Sequence, residues 1–467
     1  MVKLPYYFPN QNQCIAALAA SYGALVIGMV FGWSAPTGPR MLAEFQRNFT
    51  INSNQFSWSI ACMPIGGALV AIPCGIMLRA EGRKNTILFF VIPLLMGWVL
   101  LTWAQAAVMM YIGRFLQGLT VGAYLTSVPI YIGEIADKQS RGTTSCLFQI
   151  MLNLGMLMSF SISAGVNVFQ LNIISGFILL LFGPIFMLMP ETPLYLLKRG
   201  HKTKAIEVLK WLRGPKGNVS IEMELLQAQV DALANYPIRT LKTFLHMAKT
   251  KRPLVTIAGL MIFQQMTGIS AVLFYTTNIF MKSSVSMNHE VATIIVGAMQ
   301  VTGALGAAFV IDIVGRRWLL MISAVIMALS HVALGVYFEL LHNGSAAHVE
   351  NLEWLPVLGL SVFVALFSVG FGSVPSIMIS EMFAIEVKDF AGSLASVVSC
   401  TLSVLTTQTF IPMQNGLGEA GTFWLFAGFC MLSTIFVFLF VPETRGKTVD
   451  QVQQQLVNKK AYFWLEK

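Results

Sequence analysis

The chain has 467 residues, of which 56% are hydrophobic and only 11% charged, with a formal net charge of +9. An ordinary soluble domain carries roughly 25% charged residues, so this composition leaves too little polar surface to face water on all sides. The charge excess does not point to nucleic acid, because the basic residues sit in breaks between apolar stretches, where a membrane protein keeps them.

In chain order, the first apolar stretch, near residues 13–34, has about the ~20 residues a spanning helix needs and reads as a retained span, not a cleaved signal. Further spans are expected near 56–78, 86–104, 107–131, 143–165 and 171–189. A polar segment at about 190–252 interrupts, and spans near 254–280, 291–311, 318–338, 354–379, 390–412 and 422–441 follow. Runs of this length must be helices, since open sheet edges cannot persist in lipid. Within the polar segment, "TKAIEVLKWLRG" and "SIEMELLQAQVDALAN" place apolar residues at helical spacing, which predicts short amphipathic helices. Cys14, Cys62, Cys74, Cys146, Cys400 and Cys430 all lie in apolar stretches without a CxxC pair, and read as small packing residues.

An even number of spans puts both termini on one side. Of the 30 Lys and Arg, 26 fall on that side, three on the other (Arg40, Arg47, Lys282), and Arg114 lies within a span. This asymmetry predicts cytoplasmic termini. The two groups of six spans also echo each other. Gly82-Arg83-Lys84 corresponds to Gly315-Arg316-Arg317, Glu134 to Glu381, and Pro190-Glu191-Thr192 to Pro442-Glu443-Thr444. The expected division is a six-helix half over 1–189, a cytoplasmic linker over 190–252, a second half over 253–441 and a cytoplasmic tail over 442–467.

The segments "GRFLQGLTVGAYLTSVPIYIGEIADKQSRG" (113–142), "PETPLYLLKRG" (190–200), "FQQMTGISAVLFY" (263–275), "DIVGRR" (312–317) and "VPETRGKT" (441–448) occur in this order on these spans. On them the chain resembles the sugar porters of the major facilitator superfamily over essentially its whole length. "SW" at 57–58 and "GRKNTIL" at 82–88 are similar to insect facilitated trehalose transporters and their hexose-carrying relatives. The resemblance implies an all-α membrane protein with twelve transmembrane helices in two pseudo-symmetric halves. It implies facilitative transport of a hexose or trehalose-like disaccharide by alternating access, in the plasma membrane. No cofactor, metal, enzyme activity, nucleic acid or obligate protein partner is implied; the partners are the sugar and the bilayer.

Arg83, Lys84, Glu134 and Arg141 at the ends of the first-half spans, with Arg316, Arg317, Glu381 and Lys388 in the second, match the family's cytoplasmic gate. Ion pairs at a semi-dry interface can bias a two-state equilibrium and still break when the halves rock. The alternative is that these charges only anchor topology. The chain departs from the family in having Arg79-Ala80 where Asp-Arg is usual, and Ala384 and Lys388 in place of Pro and Arg.

A sugar presents hydroxyls that donate and accept, on a ring with apolar faces, and amide side chains offer both functions in one plane. Gln149, Gln264, Gln265 and Gln300 are amides at membrane depth. The first three match sugar-contacting positions of the family, and Gln300 stands where relatives often have Asn. Phe31 and Phe367 match aromatic positions lining the cavity. A glutamine in a span also serves as glue between helices. Ser270, Phe274, Ser376, Ser399 and Cys400 replace larger or amide-bearing residues, predicting a wider cavity with fewer amides. Gly28, Gly32, Gly118 and Gly122 read as close helix packing, and Pro375 with Gly370 and Gly372 as a break in the tenth span.

Proton coupling needs a titrating group in the membrane, usually a carboxylate. No Asp or Glu lies deep in any span, and Ser34 stands where proton-coupled relatives carry the Asp that faces Arg114. His331 is the one deep titratable alternative and reads as a packed polar residue. Facilitated diffusion is therefore expected, against a transporter-like sugar sensor or a carrier of another polar solute such as a polyol. Three glycosylation sequons begin at Asn48, Asn218 and Asn343; the orientation above exposes Asn48 and Asn343 outside and hides Asn218.

Overall fold

A computed structural model of the chain describes residues 10–42, 51–137, 141–214, 219–235, 248–343, 352–383, 385–447 and 449–457. The first six spans are α1 (Gln11–Gly32) continued by α2 (Ser34–Leu42), α3 (Ser53–Ala80), α4 (Arg83–Phe89) with α5 (Val91–Thr102), α6 (Ala107–Ile135), α7 (Arg141–Gly165) and α8 (Val168–Met187). Two of these start on the same device: Asn52 with Gln55 and Asn167 with Gln170 form reciprocal capping boxes that satisfy the first free N–H groups. The linker holds α9 (Pro193–Lys198), α10 (Lys202–Arg213) and α11 (Val219–Asn235).

The second six are α12 (Ala248–Met266) with α13 (Ile269–Lys282), α14 (His289–Val314), α15 (Arg316–His342), α16 (Leu355–Phe367) with α17 (Val374–Met382), and the run α18 (Ile385–Phe440); α19 (Val449–Val457) follows. Among the described residues, eleven helices are long and apolar enough to cross a membrane. A straight helix of 56 residues would be about 84 Å long, nearly three bilayer cores, so α18 must be two passes. Gly418, at φ 74° and ψ 170°, separates them and brings the total to twelve. Among the described residues no strand occurs.

Large apolar side chains on the outside, such as Phe309 (67% exposed) and Leu329 (63%), would be a liability in water and are the ordinary face of a lipid-embedded bundle. Inside, small residues let backbones touch. A Cβ on Gly155 would lie 2.0 Å from Leu25 O, and one on Gly118 the same distance from Met63 O, so the spans of the first half pack α1 on α7 and α3 on α6 at contact distance. The halves meet where α3 packs against α18, α7 against α14, and α1–α2 against α13.

Breaks in two spans, the seventh and the tenth, bear on the site. The seventh is broken at Thr267–Gly268, where Gly268 takes φ +84°. The tenth contains a π-helical turn at Ser368–Gly372, just before Pro375, as the Gly and Pro positions predict. In the linker, α9, α10 and α11 close a small apolar cluster of Leu197, Ala205, Leu209 and Met223. The side chains of Asn10 and Asn12 donate to Leu212 O and Trp211 O and tie α10 to the start of α1. Asn48 and Asn218 lie outside the described residues. Asn343 is exposed beyond α15, at the end of the bundle away from the linker.

Candidate sugar site and gate

At the linker end, the two halves repeat one arrangement almost atom for atom. Arg83 donates to Glu134 Oε1 at 2.7 and 3.1 Å and to Leu78 O at 2.9 Å. Arg316 donates to Glu381 Oε1 at 2.9 Å and to Ile311 O at 3.2 Å. Lys84 Nζ reaches Met187 O, and Arg317 reaches Phe438 O. Glu191 accepts the backbone N–H groups of Arg83 and Lys84 at 3.2 and 3.0 Å; Glu443 accepts those of Arg316 and Arg317 at 3.0 and 3.1 Å.

Each of these carboxylates therefore caps the start of a helix that begins earlier in the chain, at Arg83 or Arg316, where free N–H groups and the helix dipole favour negative charge. Gly82 (φ 93°) and Gly315 (φ 94°) make the approach possible, for a Cβ would come within 2.4 Å of Glu191 Oε2 and 2.7 Å of Glu443 Oε2. Burial pushes the Glu191 carboxyl above its ordinary range, against the opposing pull of the N–H groups and Arg83. The Pro-Glu-Thr repeat was legible as an internal duplication, but its role as a helix cap was not. Thr444, from the same motif, donates to Glu381 Oε2.

These Arg–Glu pairs join helices within one half. Across the halves at this end, the Arg79 guanidinium lies 4.1 Å from the ring centre of Phe390, and Gly75 approaches Ser393. Arg79 is the residue that stands where the family carries Asp. Lys388, two residues before Phe390, is half-buried, while the side chain of Arg141 and the whole of Ala384 lie outside the described residues. At the opposite end, Arg40 pairs with Glu290 at 2.5 Å and also donates to Val166 O, which bridges the halves there.

Between the ends, amides and hydroxyls converge. Gln264 Nε2 donates to Phe371 O at 2.6 Å, a carbonyl in the π-turn of the tenth span. Gln265 Nε2 donates to Ser399 Oγ at 2.9 Å, and its Oε1 accepts from Ser270 Oγ at 2.7 Å. Ser403 Oγ donates to Ser270 Oγ at 2.9 Å. Ser270 and Ser399, substitutions that suggested a depleted site, thus complete a neutral network around the glutamine pair.

Facing it from the first half, Gln149 donates to Asn153 Oδ1 at 3.1 Å, and Asn153 donates to Gln300 O at 3.2 Å and Ser368 Oγ at 3.4 Å. Gln300 is 2% exposed, and its Oε1 has no partner among the described residues. Asn153 escaped the sequence reading although it lies one turn from Gln149 on the same face. Phe31 stacks on Phe274 across the halves, ring centres 6.2 Å apart and planes 7° apart. Phe367 is buried at the start of the π-turn.

Arg114 is fully buried and held by neutral groups. It donates to Val30 O at 3.1 Å, Gln117 Oε1 at 2.9 Å and Ser34 Oγ at 2.9 Å, and sits 5.0 Å from the Trp33 ring centre. Among the described residues no metal-binding group of His, Cys, Asp or Glu occurs.

Two duplicated six-helix halves, charged clamps at one end and a neutral polar cluster where broken helices meet define a transporter of the major facilitator class. Residues 16–456 match the sequence profile of the family described as "Sugar (and other) transporter", and the chain belongs to that family. It is 32% identical over 464 residues to the facilitated trehalose transporter Tret1 of Polypedilum vanderplanki, covering 98% of this chain and 92% of that protein. It is 33% identical to Tret1 of Anopheles gambiae and 34% to that of Drosophila yakuba; each match covers 98% of this chain. The chain spans just over half the length of these two relatives, 58% and 54%. Among solved structures, the proton:xylose symporter XylE bound to 6-bromo-6-deoxy-D-glucose superposes with a TM-score of 0.81 at 20% identity, over 96% of this chain and 99% of that one. The inward-open xylose transporter XylE from E. coli gives 0.75 at 21% identity, over 94% and 98%. At this identity the likeness establishes the fold.

Proposed function

We propose that the chain is a facilitative transporter of a sugar, a hexose or trehalose-like disaccharide, which it moves by alternating access. The observation that carries this reading is the neutral amide–hydroxyl cluster of Gln149, Asn153, Gln264, Gln265, Ser270, Gln300 and Ser399 at the junction of the halves. Sugar hydroxyls can take over these hydrogen bonds one for one, so that neither the protein nor the solute is left with unsatisfied polar groups. Phe31 and Phe367 would meet the apolar ring faces. The trehalose carriers among the relatives support the same substrate class.

Uniport follows from the surroundings of Arg114. Its partners are a carbonyl, an amide and a hydroxyl, none of which exchanges a proton in the physiological range. The Arg83–Glu134 and Arg316–Glu381 pairs, with Lys84, Arg141, Arg317 and Lys388, would form the gate at the linker end. The excess of basic residues there supports a cytoplasmic linker and termini in a plasma-membrane protein with two six-helix halves over 1–189 and 253–441, and leaves Asn343 open to glycosylation.

The test is uptake of labelled hexoses and trehalose into proteoliposomes. The expected result is equilibration without accumulation, and no net movement under an imposed pH gradient when sugar is equal on both sides. Sugar accumulation driven by the pH gradient would overturn the uniport reading.

A further inference from the structure

His331 is fully buried in the ninth span, inside the second half, with its ring 4.2 Å from the Phe363 centroid and 5.8 Å from those of Phe423 and Phe426. A polar ring in this aromatic setting needs a reason. Its Nε2 lies 3.1 Å from the carbonyl oxygen of Thr267, the residue at which the seventh span breaks. A carbonyl can only accept, so Nε2 must carry the proton. Nδ1 is then the bare nitrogen of the neutral ring, and it has no partner among the described residues.

We propose that His331 is a positioning residue for transport, whose Nε2–H holds the opened backbone of the seventh span and thereby orients Gln264 and Gln265. The proposal rests on the reading of those glutamines as sugar ligands. At the break, the Thr267–Gly268 turn frees the Thr267 carbonyl from a regular helix, and in an apolar interior a freed carbonyl must find a donor. His331 supplies it from a different helix. The same two residues are tied back to the glutamines: Thr267 Oγ1 donates to Gln264 O at 2.8 Å, and Gly268 N–H donates to Gln265 O at 3.0 Å.

The aromatic wall serves both partners. Phe426 lies tilted beside His331 and also fills the space beside Gly268, where a Cβ would lie 2.6 Å from Phe426 Cδ2. The ring is thus fixed on one side by Phe363 and on the other by the wall that seats the break. With the bond in place, the glutamine pair is held at the junction while the helix beyond Gly268 is free to take a different direction.

The experiment compares His331→Gln with His331→Met in the full chain. Both side chains are unbranched and of similar volume, but only the amide can donate to Thr267 O. Flux is measured in proteoliposomes with glucose and trehalose as probes, and the melting temperature in detergent reports folding. His331→Met is expected to raise the KM for flux about ten-fold, the scale of one buried hydrogen bond, while the folded yield is kept. His331→Gln is expected to return KM to within about three-fold of the natural protein. Should the Met variant not fold, His331→Asn replaces it, since its shorter amide cannot reach Thr267.

A non-donor variant with unchanged KM, or one that lowers only the melting temperature, overturns the proposal, as does equal impairment in the Gln variant. A parallel Gln265→Leu variant separates the two readings. If it abolishes flux while His331→Met leaves KM alone, only the positioning role fails; if it transports normally, the sugar-site reading fails.

Discussion

The contact between Arg79 and Phe390 offers a sharp test of the gate, because it joins the halves at a position where this chain departs from its family. The guanidinium carbon sits 4.1 Å from the ring centre, and both residues are half-buried at the linker end. A cation–π contact of this kind contributes about 0.5 kcal/mol when exposed and about 2 kcal/mol when largely desolvated. It can exist only while the linker end is closed, so its loss should move the closed–open equilibrium by about 2- to 30-fold toward opening at that end.

The perturbation is Arg79→Ala, Phe390→Ala and the double variant, read as a thermodynamic cycle. Reporter labels placed on the linker ends of the sixth and twelfth spans measure the populations in sugar-free proteoliposomes. Each single variant should populate the open state, and the double variant should add little to either. Additive single effects would mean that the two side chains do not act through one another. Unchanged populations in all three would refute the assignment of this end as a gate.

Gln265→Leu should raise the KM for sugar about 5- to 150-fold, the loss of about 1–3 kcal/mol in hydrogen bonds to substrate, as read by initial-rate flux. Gly155→Ala should cost about 1–3 kcal/mol of stability, measured as a lower melting temperature, since its Cβ would drive the first and fifth spans apart at Leu25 O. Glu191 gives a pH signature. Its folded carboxyl lies above the ordinary range through burial, so its contribution to stability is present below the unfolded carboxylate value and is lost as pH rises through the folded one. The melting temperature of the natural protein relative to Glu191→Gln should therefore fall as pH rises from the ordinary carboxylate value, about pH 4, through the raised folded one.

Much of this protein is written in its sequence because membrane insertion depends on local properties. Apolar length, basic bias between spans and a repeated Gly-Arg and Pro-Glu-Thr pattern need no knowledge of neighbours, and they establish twelve spans in two related halves. The glutamines stood out for the same reason: an amide at membrane depth is conspicuous wherever it points.

What fills their hydrogen bonds was decided only by the tertiary structure. Glu191 caps a helix that begins 108 residues earlier in the chain, and Gln265 meets Ser399 across 134 residues. Nothing local distinguishes Ser399 from a packing serine, Arg79 from a topology anchor, or His331 from an idle core residue. Their roles arise when helix breaks at Thr267 and in the Ser368–Gly372 turn release backbone groups that, without water, only a neighbouring helix can satisfy. Sequence sets which groups must be paired in the bilayer; the packing of the two halves chooses the partners.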